Sequence, residues 1–308
     1  MQLARRLCAG VAGLLWLAGC DARTRAQDEP RVLRLWLAGD VHRASDLPLF
    51  EGVGPSGFGI VNLEGAIDEG HESERVSDKL LLRNSPRVVA ALQSAHVVIA
   101  GIANNHRDDL GAQAKERTRA VLKAAGIETA DVASPAYVQS GGFRIATIAD
   151  LVEEQPLDLR MQITDVRTRA DVVLVSLHTL GEPSYFATPA LEITVQRALE
   201  AAPDVIVVHG SHWLAKVQRI GTTVVAWGLG NLAFDCDCSE RPEGALLELE
   251  FGQSARGAKL RPTARFVPIS PGHRELAARP LADPEPTLQL LQSLGSAPLS
   301  RVDRGLEF

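Results

Sequence analysis

Cysteine is scarce in this sequence, and so are aromatic residues. Four cysteines occur among 308 residues, and Phe, Trp and Tyr together make up 5%. Cys8 and Cys20 lie in the leader, while Cys236 and Cys238 stand one residue apart. That spacing is too tight for an ordinary disulfide, so no disulfide framework builds this fold. The pair reads as free, opportunistically chelating or rarely cross-linked. Runs of Lys or Arg are also missing. Without them, and with few rings to stack bases, nothing calls for nucleic acid. A net charge of −6 argues against broad adhesion to anionic lipid. No internal repeat or low-complexity block is present, which excludes a solenoid. What remains is 45% hydrophobic and 23% charged, a globular balance with length for one large domain or two small ones.

The first residues read as a processing signal. Arg5 and Arg6 form a basic start, and Leu7 to Leu17 an apolar stretch too short to span a bilayer. It ends in Leu17-Ala18-Gly19-Cys20. This resembles the bacterial lipobox, where the signal is cut before a cysteine that is then lipidated. The resemblance implies a cell-envelope lipoprotein held to the membrane by Cys20. Asp21 next to it implies the periplasmic face of the inner membrane. Residues 21–31 are polar and read as a tether. The domain is expected over 32–282, and 283–308 as a C-terminal helix and tail.

Short apolar runs predict buried strands over 32–39, 58–63, 96–103, 143–149, 171–177, 204–208, 223–227, 244–251 and 259–268. Ser85-Pro86 signals a helix to about Ser94. Further helices are expected over 112–125, closed by Gly126, over 189–202, and in the tail. Residues 66–80 read as a loop. Apolar rather than alternating strands indicate sheets covered on both faces, hence an α/β or layered α+β fold.

The informative residues stand where the strands stop. Leu35-Trp36-Leu37-Ala38 runs into Gly39-Asp40-Val41-His42. In extended chain, residues two apart point to the same side, so Asp40 and His42 offer a carboxylate and an imidazole together. Glu64 follows the second strand and Asn105-His106 the third. His178 ends another, and His209-Gly210-Ser211-His212 follows the next. A lone histidine is more often a satisfied structural residue. Five successive strand ends carrying metal-type side chains are harder to dismiss, because ligand crevices in such folds lie at the carboxyl ends of strands. His209 and His212 are three apart, an offset that points their rings to opposite sides in extended chain. A tight turn through Gly210, which tolerates positive φ, would bring them together.

In this order the blocks Gly39-Asp40, Asn62-Leu63-Glu64, Asn104-Asn105-His106 with Asp109 and Gly111, His178 with Glu182, His212, and Leu229-Gly230-Asn231 resemble one family. It is the CapA family of capsule, or poly-γ-glutamate, synthesis proteins, within the calcineurin-like metallophosphoesterases. The resemblance covers roughly residues 33–250. It implies a four-layer α/β/β/α sandwich with two divalent metal ions, Mn, Fe or Zn, at the sheet edges. Asp40, His42 and His212 would bind the first, Glu64 would bridge, and Asn105 and His178 would bind the second, with His209 in reserve. His106 would face the leaving group, oriented by Asp109. Asn62, Asn104, Glu182 and Asn231 would support the site. The family's Gly-x-His-Pro-His is altered to His209-Gly210-Ser211-His212, and its His-Trp-Gly-x-Glu to His178-Thr179-Leu180-Gly181-Glu182. These departures predict one tight and one labile metal.

Two functions follow as expectations. One is an envelope metal-dependent hydrolase or transferase of capsule or cell-envelope polymer, with metal-activated hydroxide attacking a phosphoester or amide. The other is a non-catalytic lipoprotein that binds polymer during capsule assembly or export, favoured by the altered histidine block. Protein partners are not legible.

Overall fold

The computed structural model describes residues 31–307, apart from 44, 53, 69–73, 77–78, 155–157, 181–183, 237–242, 254–260, 297–299 and 303–304. The leader with Cys20, the start of the tether, Glu182 and Cys238 lie outside the described residues.

The first strand, Arg31–His42, is buried on both faces from Leu35 onward. A run of apolar side chains is what such a central strand requires. It lies parallel to Phe58–Leu63 on one side and antiparallel to Gly244–Gln253 on the other. Parallel pairing continues through Val97–Gly101 to Glu128–Ala130. Beyond Gly244–Gln253 the sheet extends antiparallel through Thr263–Ser270 and Gly305–Glu307 to Ser300–Val302. The second sheet has a parallel core of Phe143–Leu151, Val172–His178, Val205–His209 and Thr223–Ala226. Ala136–Ser140 and Val217–Ile220 flank it antiparallel.

Three cores show how these sheets stack. Leu35, Leu37 and Ile60 of the first sheet share a core with Ile145, Leu174 and Val207 of the second, so the sheets pack face to face. The outer face of the first carries Val88, Ala91 and Leu92 of the helix Val88–Ser94 and Leu122 of the helix Ala112–Ala124. The outer face of the second carries Leu159 and Ile163 of the helix Leu159–Arg167 and Leu191 and Val195 of the helix Pro189–Leu199. The result is the four-layer α/β/β/α sandwich. Each fully buried Leu, Ile or Val contributes about 1.5–3 kcal/mol. The C-terminal helix Glu285–Ser293 adds Leu288 and Leu291 to the central core, so residues past 282 are part of the sandwich.

Several local expectations shift. The Ser85-Pro86 signal opens a turn, and the helix itself begins at Val88. The helix Leu159–Arg167, absent from the expectations, is capped by Asp158, which accepts from the Met161 N–H. The stretch 66–80, read as a loop, contains the short strands Ala66–Ile67, Glu74–Val76 and part of Lys79–Leu81. Cys236 is disulfide-bonded, which corrects the free-thiol reading; its partner lies outside the described residues. Among the described residues no helix is long and apolar enough to cross a membrane.

Candidate metal centre

The carboxyl ends of both parallel cores meet at one edge of the sandwich. Asp40 arrives near the end of the first strand because the chain passes tightly against the Leu229-Gly230-Asn231 block. Its N–H donates to the Gly230 carbonyl at 3.1 Å. A Cβ on Gly39 would fall 1.8 Å from that same oxygen, so only glycine fits there. Asn231 then pairs beside Asp40 in a parallel register.

Asp40 is the most connected donor. Its Oδ1 accepts from Asn62 Nδ2 at 2.8 Å and lies 3.3 Å from His209 Nδ1. Its Oδ2 accepts from the Gly210 N–H at 3.2 Å and lies 3.1 Å from His212 Nδ1. Both histidines therefore reach one carboxylate despite their odd spacing. The turn between them explains it: Gly210 has φ +93° and His212 φ +56°. A Cβ on Gly210 would fall 2.2 Å from the Thr179 carbonyl and 2.8 Å from His178 Nε2.

Glu64, 1% exposed, sits 3.9 Å by Oε1 from His212 Nε2 and 3.8 Å from His106 Nε2. One donor atom each from Asp40, Glu64 and His212 lies within 4.8 Å of the others. Glu64 Oε2 is buried with no hydrogen-bond partner. A buried carboxylate oxygen without a donor is costly unless a cation meets it. Carboxylate and imidazole donors suit a borderline divalent metal, so these residues fit one.

The other expected residues group around this cluster. His178 Nδ1 accepts from Asn62 Nδ2 at 3.3 Å, and its Nε2 donates to Asn105 Oδ1 at 2.8 Å. Asn105 is exposed and stands at the mouth. Asn104 ties the loop down, donating to the Leu63 carbonyl at 2.8 Å and accepting from the His106 N–H at 3.2 Å. His106 Nδ1 donates to Asp109 Oδ2 at 2.6 Å, and the Leu82 N–H donates to that same oxygen at 2.8 Å. Asn231 Oδ1 accepts from His212 Nδ1 at 2.9 Å. His42 is fully buried but lies outside the three-donor cluster. It hydrogen-bonds the Glu64 backbone and the Asn84 side chain and packs on Phe234.

Burial and neighbours divide these groups by charge. Burial pushes the Asp40 carboxyl up, but hydrogen bonds from His209 and His212 outweigh it and hold Asp40 well below the usual carboxylate range. Burial pushes Glu64 up to about 7, helped by Asp40 and opposed by His212. Burial opposes charge on His212, yet Glu64 and Asp40 raise it to about 9. Burial takes His42 down to about 4 and His178 to about 3, so both are neutral imidazoles at pH 7.

Sequence reasoning missed the scaffold under His42. Arg43 is fully buried and donates by Nη1 to Asp235 Oδ1 at 2.8 Å, and by Nη2 to the Pro48 and Leu276 carbonyls. Asn84 accepts from the Arg43 N–H and donates to the carbonyls of Glu64 and Gly65. The available signal was Arg43 itself, since an arginine at the end of a buried strand needs a carboxylate.

The chain spans about half the length of the curated relatives it matches. It is 25% identical over 202 residues to the capsule biosynthesis protein CapA of Bacillus anthracis, covering 57% of this chain and 49% of that protein. It is 21% identical over 220 residues to the PGA biosynthesis protein CapA of Bacillus subtilis (strain 168), covering 64% and 58%. Among solved structures it is similar to a hypothetical protein from Thermus thermophilus, at 13% identity and TM-score 0.48 over 77% of this chain and 99% of that one. A phosphatase from Mycoplasma pneumoniae gives 11% identity and TM-score 0.48 over 77% and 94%. Residues 48–236, more than half the chain, match the family model described as bacterial capsule synthesis protein PGA_cap, and the chain belongs to that family.

Proposed function

We propose that this chain is an envelope-anchored, metal-dependent hydrolase or transferase of a capsule or poly-γ-glutamate-type polymer, cleaving a phosphoester or an amide. The observation that carries the reading is the unpartnered Glu64 Oε2 inside a three-donor cluster faced by the His106–Asp109 pair. The polymer class rests on the names of the family and its relatives. Anchoring through Cys20 belongs to the same proposal, and metabolic labelling with a fatty acid checks it.

Asp40, Glu64 and His212 would hold a divalent ion, with Asn105, His178 and His209 as the donors for a second. Such an ion supplies Lewis-acid polarisation and activates water at neutral pH. Asp109 keeps a proton on His106 Nδ1, and the Leu82 N–H keeps Asp109 in place. The ring is therefore held with Nε2 toward Glu64, where, once Nε2 has also taken up a proton, the imidazolium would pass that proton to a departing oxygen or nitrogen and return to the neutral Nδ1–H form.

The test is metal content after loading with Mn²⁺, Fe²⁺ or Zn²⁺, measured beside turnover of a chromogenic phosphodiester and a γ-glutamyl oligomer. Glu64→Gln should weaken metal binding by at least about 100-fold, more than losing an outer-shell partner costs. His106→Ala should keep the metal and lose about 10²–10⁴-fold in turnover. If His106→Ala strips the metal as Glu64→Gln does, the roles are assigned wrongly. Absence of bound metal in the wild type would favour a polymer-binding lipoprotein without catalysis. The altered histidine block no longer argues for that alternative, because His209 and His212 both reach Asp40.

A further inference from the structure

Four side chains of the site form one directed run of hydrogen bonds, and the backbone fixes its direction. Asn104 gives Nδ2 to the Leu63 carbonyl at 2.8 Å and takes the His106 N–H on Oδ1 at 3.2 Å. A carbonyl only accepts and an amide N–H only donates, so the Asn104 side chain has one orientation. Its Nδ2 also lies 3.5 Å from Asn62 Oδ1, which turns Asn62 Nδ2 the other way. There Nδ2 stands 2.8 Å from Asp40 Oδ1 and 3.3 Å from His178 Nδ1. One of its hydrogens goes to the carboxylate and the other to the imidazole.

A donor facing Nδ1 leaves that nitrogen its lone pair and puts the ring proton on Nε2. Nε2 in turn donates to Asn105 Oδ1 at 2.8 Å. Asn62 and His178 are both buried, so bulk water does not replace either bond.

A metal-ligating histidine is held the opposite way. It gives its remote N–H to a carboxylate, a carbonyl or a water, which leaves the other nitrogen for the ion. His212 follows that rule. Its Nδ1 donates to Asn231 Oδ1 at 2.9 Å, and its Nε2 faces Glu64 Oε1 at 3.9 Å. His178 does not. Its Nε2 and Asn105 Oδ1, both wanted by a second ion, are spent on each other. Moving the proton to Nδ1 would set two donors against each other in a buried place, which is costly.

We propose that Asn62 is a positioning residue that withholds His178 from the second ion and so makes that ion the labile one. The proposal rests on the metal-centre reading and deepens it: lability comes from Asn62, not from the altered histidine block. Asn62→Asp tests it, because an oxygen in place of Nδ2 can accept from a proton on Nδ1.

Two measurements on the full chain decide it. The first is the proton position on His178 in metal-free protein labelled with ¹⁵N-histidine, its signals identified by their loss in His178→Ala. The wild type should carry the proton on Nε2 and Asn62→Asp on Nδ1. The second is calorimetry with Mn²⁺. Asn62→Asp should tighten the weaker binding event about ten-fold or more, the range expected of an outer-shell partner, and change the tighter one less. Adding His178→Ala to Asn62→Asp should remove the gain. A wild-type proton on Nδ1 overturns the proposal without recourse to any folded variant of Asn62. So does an unchanged weaker event in Asn62→Asp, or a gain that survives the loss of His178, since an added carboxylate would then explain it. A wild type that takes no Mn²⁺ defeats the metal-centre reading. If Asn62→Asp then gains an ion through His178, the withholding role stands, and if it gains none, that role falls too.

Discussion

The two sheets bring different chemistry to their common edge. The first delivers carboxylates and amides from strand ends: Asp40, Glu64 and Asn105. Asp40 is locked by the Gly230 carbonyl and Asn62, and the backbone around Glu64 by Asn84. The second delivers imidazoles: His178, His209 and His212. Two of these depend on a left-handed turn, with Gly210 at φ +93° and His212 at φ +56°. The first sheet therefore sets the charge of the site through ladder and core, and the second sets its closure through one turn. The two halves should fail differently when cut.

The largest expected effect is on the first half. Asp235→Ala leaves Arg43 buried without its carboxylate, which costs about 3–5 kcal/mol. Urea denaturation should show it as a lower midpoint with an unchanged slope. A loss below about 1 kcal/mol would mean the first half is not held from beneath, and the comparison breaks.

Gly210→Ala addresses the second half. A left-handed non-glycine residue costs about 1–3 kcal/mol, and here the new Cβ also meets the Thr179 carbonyl. The loss of metal affinity, read by competition with a chelator dye, should exceed the loss of stability. Equal losses would mean that the turn serves folding rather than the site.

The smallest effect, and the most discriminating, is on pH. His212 binds its proton more tightly folded, at about 9 against 6.5, so its contribution to metal-free stability is full below 6.5 and is lost as pH rises through 9. Glu64, raised to about 7, works in the same direction between 4.5 and 7. His42 and His178, depressed to about 4 and 3, oppose it by removing stability as pH falls below 6.5. Among these groups the window from 7 to 9 belongs to His212. The Tm of the metal-free protein should fall there, while metal affinity rises because the ion must displace that proton. A flat Tm across that window would remove His212 from the charged cluster.

Much of this was legible in the chain. Apolar runs located the main strands because a strand buried on both faces admits little else. Five of those runs end in metal-type side chains, and the fold gathers those ends at one edge. Short strands were not legible. Asn231–Phe234 is a strand only because the end of Arg31–His42 lies beside it. The cap at Asp158, with Leu159, Ile163 and Val166 on one helical face, was a signal present but unread.

By itself, then, the sequence determined which runs become buried strands and which candidate donors stand at their ends, because hydrophobic patterning and residue type are local. Only the tertiary structure decided how the donors combine. Whether His209 joins His212 depended on the φ of Gly210. Whether His42 stands among the donors or beneath them depended on Asn84, and whether Arg43 could be buried depended on a carboxylate 192 residues away. Those outcomes are set by distances between elements that the order of residues does not encode locally.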